Sequence, residues 1–372
     1  MRKDIFRKGI VLGIIFLFVG AIVVPNVISN TTSFGNMLYV GGNGPGNYTA
    51  IQDAVDAASE GDTIFVYNGI YHENVVVDES ISLIGEDKDI TIIDGGEKKD
   101  VIYVSADSVS IMGFTIENSG NEWYDSGIDI RSNHNTISDN NLGPNNAFGI
   151  YVESSCNNII EKNYITSNDD GIHLSCSDNN TITGNTITNN FYDGICITNH
   201  TSYTDIFNNH LESNRRGIHI NIYSHNNNIS SLNVILNNIN FGVLVQGYSY
   251  ENNIVNNRIT GSAKCGIKLD KGNNNVISKN HIENCAISIN LDFSPKNTIT
   301  KNNLMAFEIG HVRLNARLVN SFGNRWHGNF WSDYPKDIPP KVIRGTWFVG
   351  MLIMIPDWDF DWDPQLIPYD YT

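Results

Sequence analysis

A repeat of 22 to 25 residues runs through the middle of the sequence and leaves few folds open to it. The unit reads Gly-Ile-x-Ile, a polar stretch, then Asn-x-Ile twice. Its leading Gly recurs at Gly127, Gly149, Gly171, Gly194, Gly217, Gly242 and Gly266, with Ala286 in the next place, in steps of 22, 22, 23, 23, 25, 24 and 20. A second landmark, an Asn two residues before an aliphatic, runs in phase with it: Asn140, Asn163, Asn185, Asn209, Asn237, Asn257, Asn280 and Asn302. Two landmarks in phase exclude chance similarity.

Each unit holds three short apolar alternations, such as Ile172/Leu174, Ile182 and Ile187, separated by Gly, Asn, Asp and Ser, so each supplies three strands and three corners. No unit can bury its own apolar side. Stacked as parallel strands about 4.8 Å apart, the aliphatics form interior ladders and the corner Asn bond the rungs above and below. The expected fold is all-β, a right-handed parallel β-helix, the hand following from the parallel crossover rule. Asn at corners also tolerates left-handed backbone. The chain has 53 Asn in 372 residues, and this excess, with Gly, Thr and Ile, is poor helix material. Regular interleaving with aliphatics excludes a disordered tract. A leucine-rich repeat has a similar period, but its Leu consensus is missing.

Ahead of the repeat, Thr49–Ser59 places Ile51, Ala54, Val55 and Ala58 on one helical face, a short helix that plugs the open end of the coil. Irregular first coils follow, with strands at 63–67, 75–77, 81–84, 91–93, 101–104 and 109–116. The organisation is then 1–30 export segment, 38–335 β-helix and 336–372 capping tail. In that tail Asp357, Asp359, Asp361 and Asp363 alternate with Trp358, Phe360 and Trp362, which puts acids and aromatics on opposite faces of a strand; the aromatics either seal the coil end or stack on sugar rings.

Arg2, Lys3, Arg7 and Lys8 precede an uncharged run from Gly9 to Val24, closed by Pro25. This is an export signal, either cleaved or kept as an N-terminal anchor, and residues beyond about 30 face outward. The expected location is extracellular or at the cell surface, with membrane contact only through this segment. Five Asn-x-Ser/Thr sequons, at Asn30, Asn47, Asn179, Asn199 and Asn228, agree with it. Net charge is −16, and removing the four bases and one acid of the first 25 residues leaves −19, which excludes nucleic acid as a partner.

The repeat, the Tyr48-Thr49-Ala50-Ile51-Gln52-x-Ala54-Val55 segment, the Gly69-Ile70-Tyr71-x-Glu73 turn and Asn329-Phe330-Trp331-Ser332-Asp333-Tyr334 together resemble the pectin lyase-like β-helix superfamily. The entry segment resembles the pectinesterase type. The Asn-rich repeats and the Asn329–Tyr334 motif resemble the branch grouped with NosD, a maturation protein for a copper enzyme, and with archaeal carbohydrate-binding surface proteins. The resemblance spans about residues 38–335 and implies fold far more specifically than activity.

In Gly-Ile-x-Ile the aliphatics point inward, so x points out. One outward column is Asp129, Tyr151, His173, Cys196, His219, Leu244, Lys268 and Ser288; a second is Arg131, Glu153, Ser175, Thr198, Asn221, Gln246, Asp270 and Asn290. The residue before the Gly forms a third: Ser126, Phe148, Asp170, Asp193, Arg216, Phe241, Cys265 and Cys285. Asp170 and Asp193 therefore stack, with Asp169 beside them and Arg216 one rung on. Carboxylates that close do not both ionise freely, which suits an acid/base pair; acidic corner residues that merely favour turn geometry are the alternative. Asp169-Asp170-Gly171 also resembles the paired aspartates of polygalacturonases, whose remaining signatures are absent.

His173, Cys196 and His219 occupy successive rungs and suit Cu or Zn by ligand type, although three ligands in a line do not converge on one point. Cys265 and Cys285 fall in neighbouring rungs, either bridged or a free buried pair. Three functions follow. The first is binding of extended polysaccharide or cell-surface glycan along an outward face, with Arg131, Tyr151, Glu153, His173, Tyr192 and His219 in contact. The second is a glycan hydrolase, lyase or epimerase using Asp169, Asp170, Asp193 and Arg216. The third is a NosD-like copper-linked accessory role. Ca or Cu are the candidate ions, and neither is required by the sequence.

Overall fold

The computed structural model describes residues 35–309, 312–333, 341–349, 353–361, 363–365 and 367–370; the expected export segment lies outside them. Each turn of chain lays down three strands, as in Phe148–Glu153, Ile159–Glu161 and Tyr164–Thr166, followed by Asp170–Ser175, Thr181–Thr183 and Thr186–Thr188. Successive turns pair in parallel and in register, Ile150 opposite Ile172, Ile172 opposite Ile195 and Ile195 opposite Ile218. The result is an all-β parallel β-solenoid of about 13 turns with one helix, Ile51–Ala57. Ile51, Ala54 and Val55 of that helix are fully buried, as the amphipathic pattern predicts. Among the described residues no helix is long and apolar enough to cross a membrane.

The aliphatics of each rung, such as Ile172, Leu174, Ile182 and Ile187, are wholly buried and form one continuous core. The recurring Gly is required by close approach rather than by an unusual φ. A Cβ on Gly149, Gly171 or Gly194 would lie 2.6–2.7 Å from the carbonyl oxygen of the Gly one rung on. The series ends at Ser288, whose carbonyl stands in that place relative to Gly266, and not at the expected Ala286.

The corner Asn are buried and bond rung to rung. Asn163 Nδ2 donates to Asn185 Oδ1 (3.1 Å) and Asn185 Nδ2 to Asn209 Oδ1 (3.0 Å), while each backbone N–H donates to the same oxygen. Asn233 continues this ladder to Asn257, correcting the expected Asn237, which sits at a corner with φ 49°. The ladder Asn themselves avoid left-handed backbone; the residue before each takes it, as at Lys162 (φ 55°), Gly184 (φ 66°) and Asn208 (φ 55°). Two further Asn ladders mark other corners, through Asn227, Asn252 and Asn275 and through Asn168, Asn190 and Asn214.

Two other expectations change, and one open alternative is settled. Gly69–His72, read as a turn, is a strand, and 109–116 is two strands, Ser110–Met112 and Thr115–Glu117, broken at Gly113 (φ 84°). Cys265 and Cys285 are free and buried, because Cys265 is two residues before Ile267, which pairs with Ile289, so its true counterpart is Ile287. At the chain's end Lys341–Val349 and Ile353–Asp361 form an antiparallel hairpin whose strands also pair in parallel with the last coil. Ile343 of this hairpin joins the core with Trp326 and Trp331, and two acids bond the coil: Trp326 Nε1 donates to Asp359 (3.1 Å), and Asp361 accepts from the Gly328 and Asn329 backbone N–H, Asn329 Nδ2 and Trp331 Nε1, each at 3.0 Å.

Candidate functional site

Five successive rungs present the same two outward positions, one before the Gly and one after the Ile or Val. They read Phe148/Tyr151, Asp170/His173, Asp193/Cys196, Arg216/His219 and Phe241/Leu244. Strand alternation turns the second position away from the core, the first stands at the corner where the strand begins, and parallel register sets each side chain beside its counterpart. Three polar rungs are thus held between two apolar ones, and the expected column is in register from Asp129 to Lys268, where Asn290 replaces the expected Ser288.

Within the polar rungs every charge has a partner. Asp170 accepts from the Asp193 N–H (2.8 Å) and meets His173 Nδ1 (2.9 Å). Asp193 is bound by Arg216 through two nitrogens and by His219 Nδ1 at 2.9 Å. Burial pushes the Asp170 carboxyl up, helped by negative Asp193 and only partly opposed by His173. Burial acts the same way on Asp193, but His219 and Arg216 outweigh it and hold that carboxyl below the usual range. The stacked pair therefore divides as the spacing predicts. Burial first, then Asp193 and Asp170, push the Cys196 thiol well up.

A cavity of about 520 Å³ lies over these rungs. Of the expected residues it gathers Asp169, Asp170, Asp193, Arg216, Tyr151, Glu153, His173, Tyr192, Cys196 and His219 in its lining, but not Arg131. Several of them are too covered to touch a sugar ring. Tyr151 is 2% exposed beneath Tyr124, which stacks on it at 5.5 Å, and Arg131, 5.0 Å over the same ring, is tied to Asp129 and Glu153. Asp170, Asp193 and His219 are also buried. His173 reaches the cavity with 18% of its side chain exposed, its ring stacked on Phe148 at 4.4 Å. Sequence reasoning missed Trp123 and Tyr124, which wall the cavity and are 79% and 53% exposed. They lie in a loop between Thr115–Glu117 and Ile128–Ile130, outside the repeat, and two adjacent aromatics in a polar Asn/Ser/Asp stretch were the available signal.

Two sets of donor atoms converge here, Asp170/His173/Cys196 and Asp193/Cys196/His219, the atoms of each lying within 4.8 Å of one another. The aspartates supply the convergence that His173, Cys196 and His219 in a column lack. Both imidazoles turn Nδ1 to a carboxylate, the usual way a metal-binding His is oriented, and His219 Nε2 is buried with no partner. Each set, a thiol with an imidazole and a carboxylate, fits copper or zinc by donor type better than Ca, which takes oxygen ligands.

The solved structures that resemble this chain are β-helices. They include the A-module of the Azotobacter vinelandii mannuronan C-5 epimerase AlgE4, at 15% identity over 75% of this chain and 89% of that one, TM-score 0.61. The DFA-IIIase of Arthrobacter chlorophenolicus A6, without its lid and in complex with GF2, matches at 15% over 79% and 94%, TM-score 0.63. The Dettilon tailspike protein matches at 17% over 78% and 67%, TM-score 0.60. At these identities the likeness shows the fold. No curated protein matches the sequence. The family model described as periplasmic copper-binding protein (NosD) matches residues 55–240 and 220–335, most of the solenoid. With its Asn-laddered rungs and its cavity over three polar ones, the chain belongs to the NosD family.

Proposed function

We propose that this chain binds an extended glycan on the outward face of the solenoid and moves a proton on it through His173. The observation that carries this reading is the placement of His173. Its Nδ1 is fixed by a buried carboxylate, its ring is clamped on Phe148, and its exposed edge meets a cavity walled by Trp123, Tyr124 and Tyr192. Aromatic walls suit sugar rings, and an imidazole oriented by a carboxylate suits general acid–base work. Asp170 is then a positioning residue and Asp193 anchors Arg216 and His219, so neither needs to touch the substrate. The structural neighbours include an epimerase of a polysaccharide, which supports a glycan as the ligand class. The test is a glycan screen scored for binding and, by mass spectrometry, for chain cleavage or solvent-deuterium uptake. His173→Gln should abolish turnover, by at least about 100-fold, while leaving binding and thermal stability nearly unchanged. Binding with no turnover of any glycan would reduce the reading to recognition alone, and no binding would overturn it.

A copper-linked role is the second reading, favoured by the Cys196 thiol 3.9 Å from His219 Nδ1 and by the unpartnered Nε2 of the same ring. Asp193, Cys196 and His219 would hold the ion, which would supply a soft Lewis acid at the lining of the cavity. Competition with a chromogenic Cu(I) chelator tests it: Cys196→Ser should lower the affinity by at least about tenfold.

A further inference from the structure

A second cavity, of about 460 Å³, lies beside the first, lined by Pro144, Ser167, Asn189 and Phe191 among others. Asn146 and Asp169 line both cavities, so the two meet at a crest. Each is within the 300–1,000 Å³ range of ligand sites. Consecutive aromatics serve them separately: Phe191, 66% exposed, lines the second cavity and Tyr192 the first, their rings near perpendicular with centroids 4.7 Å apart.

Asp169 is held rigidly on the crest, its N–H donating to the Ala147 carbonyl (2.9 Å) and its carbonyl accepting from the Tyr192 N–H (2.7 Å). Its carboxyl is pushed up by burial and then by Asp170, and no hydrogen bond from a described residue offsets them. A half-buried carboxylate without donors is costly unless a ligand supplies them. The second cavity's lining also has five Asn, two acids (Glu97 and Asp169) and no base, a surface for hydroxyls and amides and a poor one for carboxylates.

We infer that the glycan crosses this crest, with sugar rings in both cavities and hydroxyls donating to Asp169. The chain is therefore bound by its interior, running along the rungs from the corner loops into the strand face and not along the solenoid axis. Its chemical class is a neutral or N-acetylated glycan, not a polyuronate. This rests on the glycan reading above and adds a direction, a second subsite and a charge preference to it.

The experiment titrates wild-type protein and Phe191→Ala with cello- and chito-oligosaccharides of two to eight units, and with oligogalacturonates of the same lengths. Affinity of a neutral series should rise by about tenfold once the oligomer is long enough to reach both cavities. Phe191→Ala should erase that gain and leave the shortest ligands unchanged. Its side chain is exposed, so a melting temperature equal to wild type is expected and checks folding. Asp169→Asn should weaken short and long oligomers alike, and the uronates should bind more weakly than neutral oligomers of equal length. Affinity independent of length, Phe191→Ala weakening all lengths equally, or uronates binding best would overturn the crossing while leaving glycan binding in place. No binding by any oligomer would overturn both.

Discussion

Asp100 illustrates what a single residue contributes on this face. Its carboxyl accepts from the Ser126 N–H at 2.7 Å, and burial, with Asp129 and Asp125 nearby, pushes it up to about 7. The folded state thus binds this proton more tightly than the unfolded chain does. The stability it contributes is complete below the ordinary carboxylate range and is lost as pH rises through about 7. Asp100→Asn keeps the acceptor and removes the charge, so relative to wild type its melting temperature should rise between pH 5 and pH 8. A difference that is flat with pH would contradict the shift. At this scale the sequence was partly legible. Asp170, Asp193 and Arg216 stack as the repeat spacing predicts, because register follows from the Gly and Ile positions. Their burial was not legible: spacing tells which way Tyr151 and His219 point, whereas Tyr124 and the neighbouring rungs decide that both are covered. Asp100 was missed because its rung carries Val101 where the repeat has Gly, so the landmark that would align it with Ser126 is absent from the sequence.

The elements are corners more than strands, since most strands outside the site face are three residues long. Such short strands depend on what fixes the turn between them. Asn185 donates to Asn209, to the Ile160 carbonyl (2.9 Å) and to the Thr183 carbonyl (3.2 Å), and accepts from Asn163. Asn185→Ala leaves partners unpaired on both sides and should cost about 1–3 kcal/mol in denaturant melts. Asn179 is exposed and left-handed (φ 56°), so Asn179→Gly is the proper comparison and should cost within about 0.5 kcal/mol. Equal small losses would mean that the aliphatic core alone holds the coil. The ladder was legible wherever the period is steady. It was misread at Asn237, where Asn233 and Asn237 both stand two residues before an aliphatic and compete for the corner; only the bond between Asn233 and Asn257 decides between them.

Across the whole molecule, an asparagine ladder has a direction. Each amide oxygen accepts from the preceding rung and each amide nitrogen donates to the next, so the last rung has donors to spare. Asp361 supplies an acceptor with no donor of its own, and it ends the series that runs through Asn280, Asn302 and Asn329. Asp361→Ala should strand the Asn329 amide and the Trp331 indole and cost at least about 2 kcal/mol. Asp361→Asn, which keeps one oxygen, should cost less. Indole fluorescence would report the local change alongside the melt. The alternation of acids and aromatics in the tail was legible, but nothing in it tells that Asp359 and Asp361 turn inward, because acids are ordinarily the outer choice. A solenoid whose rungs all pass on the same bonds can be lengthened or shortened by in-frame duplication or loss of whole rungs. Chemistry spread over Asp170, Asp193 and Arg216 and their partners cannot, since one rung inserted among them separates His219 from Asp193. Heredity is free to change the length of this protein at either side of the site, and only there.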